Sequence, residues 1–139
     1  MRTSRQIRQT TQPLRSGLAT LEAAVTLPLL LLLVFASIDM ANVVYLKQSL
    51  NISAYEGATT ASKPGGTATL ARTRAQEVLT ARNITGATIQ ITPTVVPTTS
   101  AGGMIIVTVR APVNRVLVSP FHFFADDAQI SSEVRMVRL

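Results

Sequence analysis

The chain has 139 residues, room for one small domain and an appendage but not for two full cores. Its formal charge is +6, yet four of the thirteen basic residues (Arg2, Arg5, Arg8 and Arg15) precede Gly17 with no acid among them, and removing those four leaves +2. The basicity belongs to a tail, and the aromatic residues are too few and too scattered to stack bases, which argues against nucleic-acid binding. The absence of cysteine excludes a disulfide framework, a thiol nucleophile and a thiolate metal site.

After the basic tail, residues 18–38 contain a single ionisable side chain, Glu22. As a helix rising about 1.5 Å per residue, this segment would stretch roughly 31 Å, about one hydrocarbon core. Arginines precede it and Asp39 closes it, so the positive-inside bias places the N-terminus in the cytoplasm and the rest outside. Pro28 removes the amide bond to Ala24, a break that membrane helices tolerate, and predicts a kink near Ala24.

Glu22 is the anomaly, because a carboxylate costs about 2.5–3.5 kcal/mol at the middle of an inserted helix and less near its end. One reading leaves it at the cytoplasmic headgroup level. Another joins it to Gly17: cleavage after Gly17 would make Glu22 the fifth residue of the mature chain and create an ammonium at Leu18, about one helical turn away. A carboxylate in an apolar medium needs such a cation, for instance the amino terminus of a neighbouring subunit. A competing processing event is an ordinary signal peptidase cut after Val34, Phe35 and Ala36, releasing a soluble domain that begins at Ser37.

Residues 40–62 read as a helix, with Val43, Leu46, Leu50, Ala54, Ala58 and Ala61 recurring at three- or four-residue steps. Lys63, Pro64, Gly65 and Gly66 end it. A second helix is expected from about Ala68 to Arg82, its faces set by Leu70, Ala71, Arg74, Val78, Leu79 and Arg82, with Asn83 and Gly86 as stops.

The period then changes to two. "ATIQITPTVV" alternates Ile89 and Ile91 with Thr88, Gln90 and Thr92, while Pro93 and Pro97 predict an edge or an irregular end. "TTSAGGM", residues 98–104, supplies a hairpin turn, "MIIVTVRAPV" a strand and "ISSEVRMVRL" a last one. The expected fold is α+β: a long N-terminal transmembrane helix continuing into an amphipathic helix, a second helix, and a small antiparallel sheet of about three strands. The chain holds eighteen threonines, many in residues 59–108, which fit strands and solvated turns. Asn51 with Ser53, and Asn83 with Thr85, match glycosylation sequons and carry little weight.

Groups for chemistry are sparse. His122 is the only histidine, set among Phe121, Phe123 and Phe124 without a matched nucleophile motif. Asp126 and Asp127 lack the ligand spacing of a calcium loop. No metal, cofactor or enzymatic activity is expected. The phenylalanines either cover an edge of the sheet or form a contact loop for another subunit.

The basic leader, Gly17, four residues, Glu22 and a proline-containing span ("RSGLATLEAAVTLPLLLLLVFASIDMANVVY") resemble the type IV pilin-like proteins, and most closely the TadE-like pseudopilins of tight-adherence (Flp, type IVb) pilus systems. The resemblance covers roughly residues 15–62 and reaches "NISAYEGATTAS", where Ala54, Glu56, Gly57 and Ala58 stand at the family's Ala-x-Glu-Gly-Ala element. The chain departs from the family in having Ala23 where an aromatic residue often follows the glutamate, and Asp39 where Glu is often found.

The resemblance implies a pilin-like fold, prepilin peptidase cleavage between Gly17 and Leu18, and a role for Glu22 in assembly. It also implies partners among other pilin or pseudopilin subunits and the inner-membrane assembly platform, with adhesion or secretion as the process. The expected organisation is a leader at 1–17, a membrane helix at 18–38, its extension at 39–62 and an extracytoplasmic head at 63–139. The alternative is a signal-anchored or secreted extracytoplasmic binding module with no pilus role.

Overall fold

The computed structural model describes residues 14–93, 100–121 and 123–139, with side chains from Gly17 onward. Most of the basic leader, part of the expected 98–104 turn, and His122 therefore lie outside the described residues. The element order is α1 (Leu14–Ser62), α2 (Ala68–Ala81), β1 (Thr88–Thr92), β2 (Met104–Pro112) and β3 (Gln129–Val137). The architecture is α+β, as the change from helical to alternating periodicity predicts. The chain divides into two compact units, one ending at Phe35 and one spanning Ala36–Leu139.

In the first unit, α1 is clothed by side chains that all face outward: residues 17–34 are exposed without exception, although most are leucine, valine or alanine. It is the one helix among the described residues long and apolar enough to cross a membrane. Pro28 lies inside it and the helix continues through that residue. Pro28 offers no N–H to the Ala24 carbonyl, and Thr26 Oγ1 donates to the neighbouring Glu22 carbonyl at 2.8 Å.

In the second unit, α1 changes character. Leu46, Leu50, Ala54, Ala58 and Ala61 are fully buried at three- and four-residue spacing, joined by Ser49 and Ser53. Their neighbours on α2 are Ala71, Ala75 and Leu79, also at four-residue steps, whereas Leu70 faces outward. Ser53 Oγ donates across the seam to the Ala75 carbonyl at 2.9 Å, while Ser49 Oγ donates within α1 to the Tyr45 carbonyl at 2.8 Å, so both buried hydroxyls are satisfied.

The sheet has the order β1-β2-β3 and both pairings are antiparallel. Ile89 and Ile91 stand opposite Val109 and Val107, and on the other side Ile105, Val107, Val109 and Ala111 stand opposite Met136, Val134, Ser132 and Ile130. These residues form the covered face, joining both helices in one core. Thr88, Gln90, Arg110, Ser131, Glu133 and Arg135 point the other way and are exposed, which accounts for the polar half of each alternating strand. The 47–62 portion of α1 lies along β3: the Lys47 ammonium donates to the Ser131 carbonyl and Ser132 Oγ donates to Asn51 Oδ1 at 3.1 Å.

Both helices end on identifiable devices. For α2, Thr67 sits in extended conformation and its Oγ1 accepts from the Leu70 N–H at 3.2 Å. At its other end Asn83 takes φ 57°, the Ile84 N–H reaches the Leu79 carbonyl at 2.9 Å and the Asn83 N–H reaches Thr80 at 3.0 Å. That is a Schellman closure, with Ile84 folded back into the core.

The end of α1 is closed by the far end of the chain. Arg138, 4 % exposed, donates through Nη1 to the Gly66 carbonyl at 3.2 Å and the Ala61 carbonyl at 3.4 Å, and the Leu139 N–H donates to Ser62 at 2.9 Å. A guanidinium at a helix C-terminus also matches the sign of the dipole there. Gly66 is required at this junction, since a Cβ would collide with the Thr60 carbonyl and meet that of Ala61 at 2.8 Å.

Replacing Arg138 by alanine removes both charge-assisted bonds from buried carbonyls and is expected to lower stability by about 1–3 kcal/mol. Urea denaturation of the detergent-solubilised chain, followed by tyrosine emission, measures this; an unchanged midpoint would show that the C-terminal closure contributes nothing.

Candidate functional site

The residues singled out by sequence fall into three groups. In the first unit, Gly17 meets nothing within 4 Å of a Cβ placed on it, so the segment around Gly17 and Leu18 is open on that side. Glu22 is exposed, and no side chain among the described residues pairs with its carboxylate. In an aqueous setting that would be unremarkable. Between Leu21 and Val25 it is the single ionisable side chain of residues 18–38, and a carboxylate in such an apolar run is costly if the run lies in hydrocarbon.

The second group is the Ala54-x-Glu56-Gly57-Ala58 element. Ala54 and Ala58 are buried in the core. Gly57 marks the close approach of α1 to both neighbours: a Cβ there would lie 3.3 Å from the Ala71 carbonyl, 3.3 Å from Ala75 Cβ and 3.5 Å from Val107 Cγ1. Glu56 points away from this seam and accepts from Arg74 Nε at 3.2 Å, while Arg74 Nη1 donates to Glu77 at 3.2 Å.

Hydrogen bonding to Glu77, then hydrogen bonding and attraction to Glu56, raise the Arg74 pKa above the ordinary arginine value. Stability linked to such a raised pKa is fully present below the ordinary value and is lost only as pH rises through the folded one. The cluster therefore stays cationic at its centre throughout the physiological range. The element is thus a helix-packing joint with a solvent-side ion pair.

The third group is the segment after β2, where a short 3-10 turn (Val113–Arg115) leads into the phenylalanine-rich loop. Asp39 organises it. This side chain is 1 % exposed, and its Oδ1 accepts from the Val118 N–H at 3.0 Å and the Ser119 N–H at 3.1 Å. Ser119 Oγ in turn accepts from the Phe121 N–H at 3.1 Å. Phe121 and Phe123 lie with ring centroids 6.0 Å apart at 44°, and both are exposed, whereas Phe124 is half-buried. Asn114 Nδ2 donates to the Asp126 carbonyl at 3.1 Å and ties the two ends of the loop together.

In the sequence Asp39 reads only as the residue that closes the apolar run, because its loop partners lie about eighty positions away. Nothing local in the sequence signals that pairing. Gly17 and Glu22 belong to the first unit, and the Gly57 joint and the phenylalanines to the second.

With these features in place, the comparison with known families is informative. Residues 17–59 match the family model for TadE-like protein. No curated protein and no solved structure matches the chain. The TadE-like match begins at Gly17, encloses Glu22, Asp39 and the Gly57 joint, and ends before α2. The long apolar helix at the start of the matched segment fits a membrane anchor.

The close contacts at Gly57 make a quantitative prediction. Gly57→Val forces branched carbons against the Ala71 carbonyl and Ala75, and is expected to cost about 1–3 kcal/mol. Gly57→Ala, placed at the edge of tolerable contact, should cost less. Thermal unfolding of the two variants tests the order, and equal stability would show that α1 and α2 separate freely at this point.

Proposed function

We propose that the chain is a pseudopilin-type minor component of a tight-adherence (type IVb) pilus or a related secretion assembly, with a structural and not a catalytic role. It is made with a basic leader, cut by a prepilin peptidase between Gly17 and Leu18, and held in the inner membrane by residues 18–38. The N-terminus faces the cytoplasm and the α+β head lies on the other side. Its partners are the pilus subunits and the assembly platform, and adhesion or secretion is the process served.

One observation carries this reading: the TadE-like match starts at the glycine that precedes the isolated carboxylate, on a helix whose residues 17–34 are all exposed. An uncovered apolar helix calls for lipid or for other helices. A carboxylate on it calls for a cation, because an uncompensated charge in hydrocarbon is costly. Cleavage after Gly17 supplies an ammonium at Leu18, and packing against a neighbouring subunit supplies the geometry. The arginines before Gly17 then act only as a topology signal.

The mature N-terminus tests the proposal directly. Intact-mass analysis of the membrane fraction is expected to show loss of residues 1–17. An intact chain would instead support an anchored binding module, and loss through Ala36 a secreted one.

Glu22→Ala is expected to leave membrane insertion unchanged while reducing incorporation into pili or their assembly intermediates, scored by co-purification with the other pilus subunits. Full incorporation of that variant would remove the charge-pairing role. Gly17→Leu should block leader removal, visible as the uncut mass.

A further inference from the structure

We infer that the loop carrying Val118, Phe121 and Phe123 is a lipid-facing wedge that rests in the bilayer interface beside the point where α1 leaves the membrane. The inference rests on the anchoring reading above and adds to it a second membrane contact, made by the head itself.

Three observations converge on this loop. Val118, Phe121 and Phe123 are 66 %, 51 % and 41 % exposed, a cluster of large apolar side chains within six residues. Its position is fixed: Asp39 Oδ1 holds the amides of Val118 and Ser119 at 3.0 and 3.1 Å, and Ser119 Oγ passes the constraint to the Phe121 amide at 3.1 Å. Asp39 is also the first charged residue after the apolar run, and Ile38 and Met40 on either side of it are exposed. The loop is therefore bound, by two hydrogen bonds, to the residue at which the chain passes from hydrocarbon to the headgroup region.

The choice of lipid over another protein follows from that placement and from the charge pattern. Apolar side chains set at interface depth are stabilised by burial a few ångströms below the headgroups. The flanking charges are mixed, with Arg115 on one side and Asp126 and Asp127 on the other, all exposed. A polybasic attraction to anionic lipid is thus not the recognition chemistry, and the contact belongs to a neutral or zwitterionic interface. On Asp39 Oδ1 the two loop amides take the place of water.

The native chain has no cysteine, so single-cysteine probes report one site each. The full chain is reconstituted into phosphatidylcholine vesicles with an environment-sensitive fluorophore at Val118→Cys, which leaves both rings in place. Phe123→Cys serves as the second loop position, Leu30→Cys reports the anchor and Thr88→Cys reports the open face of the sheet. Quenching by lipids spin-labelled near the headgroup is then compared with quenching by lipids labelled deep in the acyl chain.

The expected result is a blue-shifted loop probe quenched best by the shallow label, an anchor probe quenched best by the deep label, and a sheet probe quenched by neither. The loop signal should survive high salt. A deep-quenched anchor with a water-exposed loop probe overturns the wedge and leaves the anchor standing. A blue-shifted loop probe that no lipid quenches overturns it in favour of a protein contact. An anchor probe that neither label quenches overturns the anchoring reading and the wedge together.

Discussion

The second unit depends on α1 presenting almost no side chain where α2 and the sheet press against it. Ser53, Ala54, Gly57, Ala58 and Ala61 form that surface, and at Gly57 even a single added carbon would meet two neighbours at 3.3 Å. Small residues allow two backbones and a strand to approach closely, and the attraction is then carried by many short dispersion contacts rather than by a few large side chains. Larger groups fill in around the seam: Leu46 and Leu50 from α1, Leu79 from α2, and Ile105, Val107 and Val109 from β2. The same helix carries a run of leucines earlier in the chain that is exposed among the described residues. One continuous helix therefore carries two surfaces, bulky exposed side chains over residues 18–34 that fit a membrane anchor and small ones where protein must come close.

The three acids of α1 show three answers to one electrostatic problem. Glu56 is the ordinary one: half-buried at the rim of the head, it meets Arg74, which is shared with Glu77. Such a pair at the surface contributes little by itself and chiefly keeps a polar group off the apolar seam. Asp39 is buried and satisfied on one oxygen by backbone amides. Glu22 has neither solution among the described residues. The contrast isolates Glu22 as the one acid of α1 whose carboxylate has no hydrogen-bonding or ionic partner among the described residues.

Much of this was legible in the sequence because it is governed by short-range rules. The four-residue recurrence of Leu46, Leu50, Ala54, Ala58 and Ala61, the breakers at 63–66 and the alternation in β2 depend on local periodicity, and each appears where periodicity puts it. The burial of Ala75 is not legible in this way, because alanine is equally at home on a solvent face and is buried only by what lies across from it.

Two other features depend on pairings that no periodicity encodes. Arg138 reads as one more surface charge at the end of an alternating strand, yet it closes α1 from more than seventy residues away. Asp39 reads as a boundary marker, yet it holds the loop. Long-range polar contacts of this kind follow from topology, and topology was known only as a class. Gly57 lay between the two cases: the motif pointed to it, but only the contacts with Ala71, Ala75 and Val107 show that it is there for clearance.

Asp39 also shows how a costly group can earn its position by what it orients. Its Oδ1 is matched by two amides, but Oδ2 is buried and has no hydrogen-bond partner among the described residues. Two consecutive amides aimed at a single oxygen do, however, fix the local backbone, and aspartate does this with fewer rotatable bonds than glutamate would need. The hydrogen bond from the Phe121 amide to Ser119 Oγ extends the fixed stretch to the first exposed ring. The gain is one of placement: the start of the loop is held to α1 at Asp39, and Val118, Phe121 and Phe123 are presented outward rather than folded into the core.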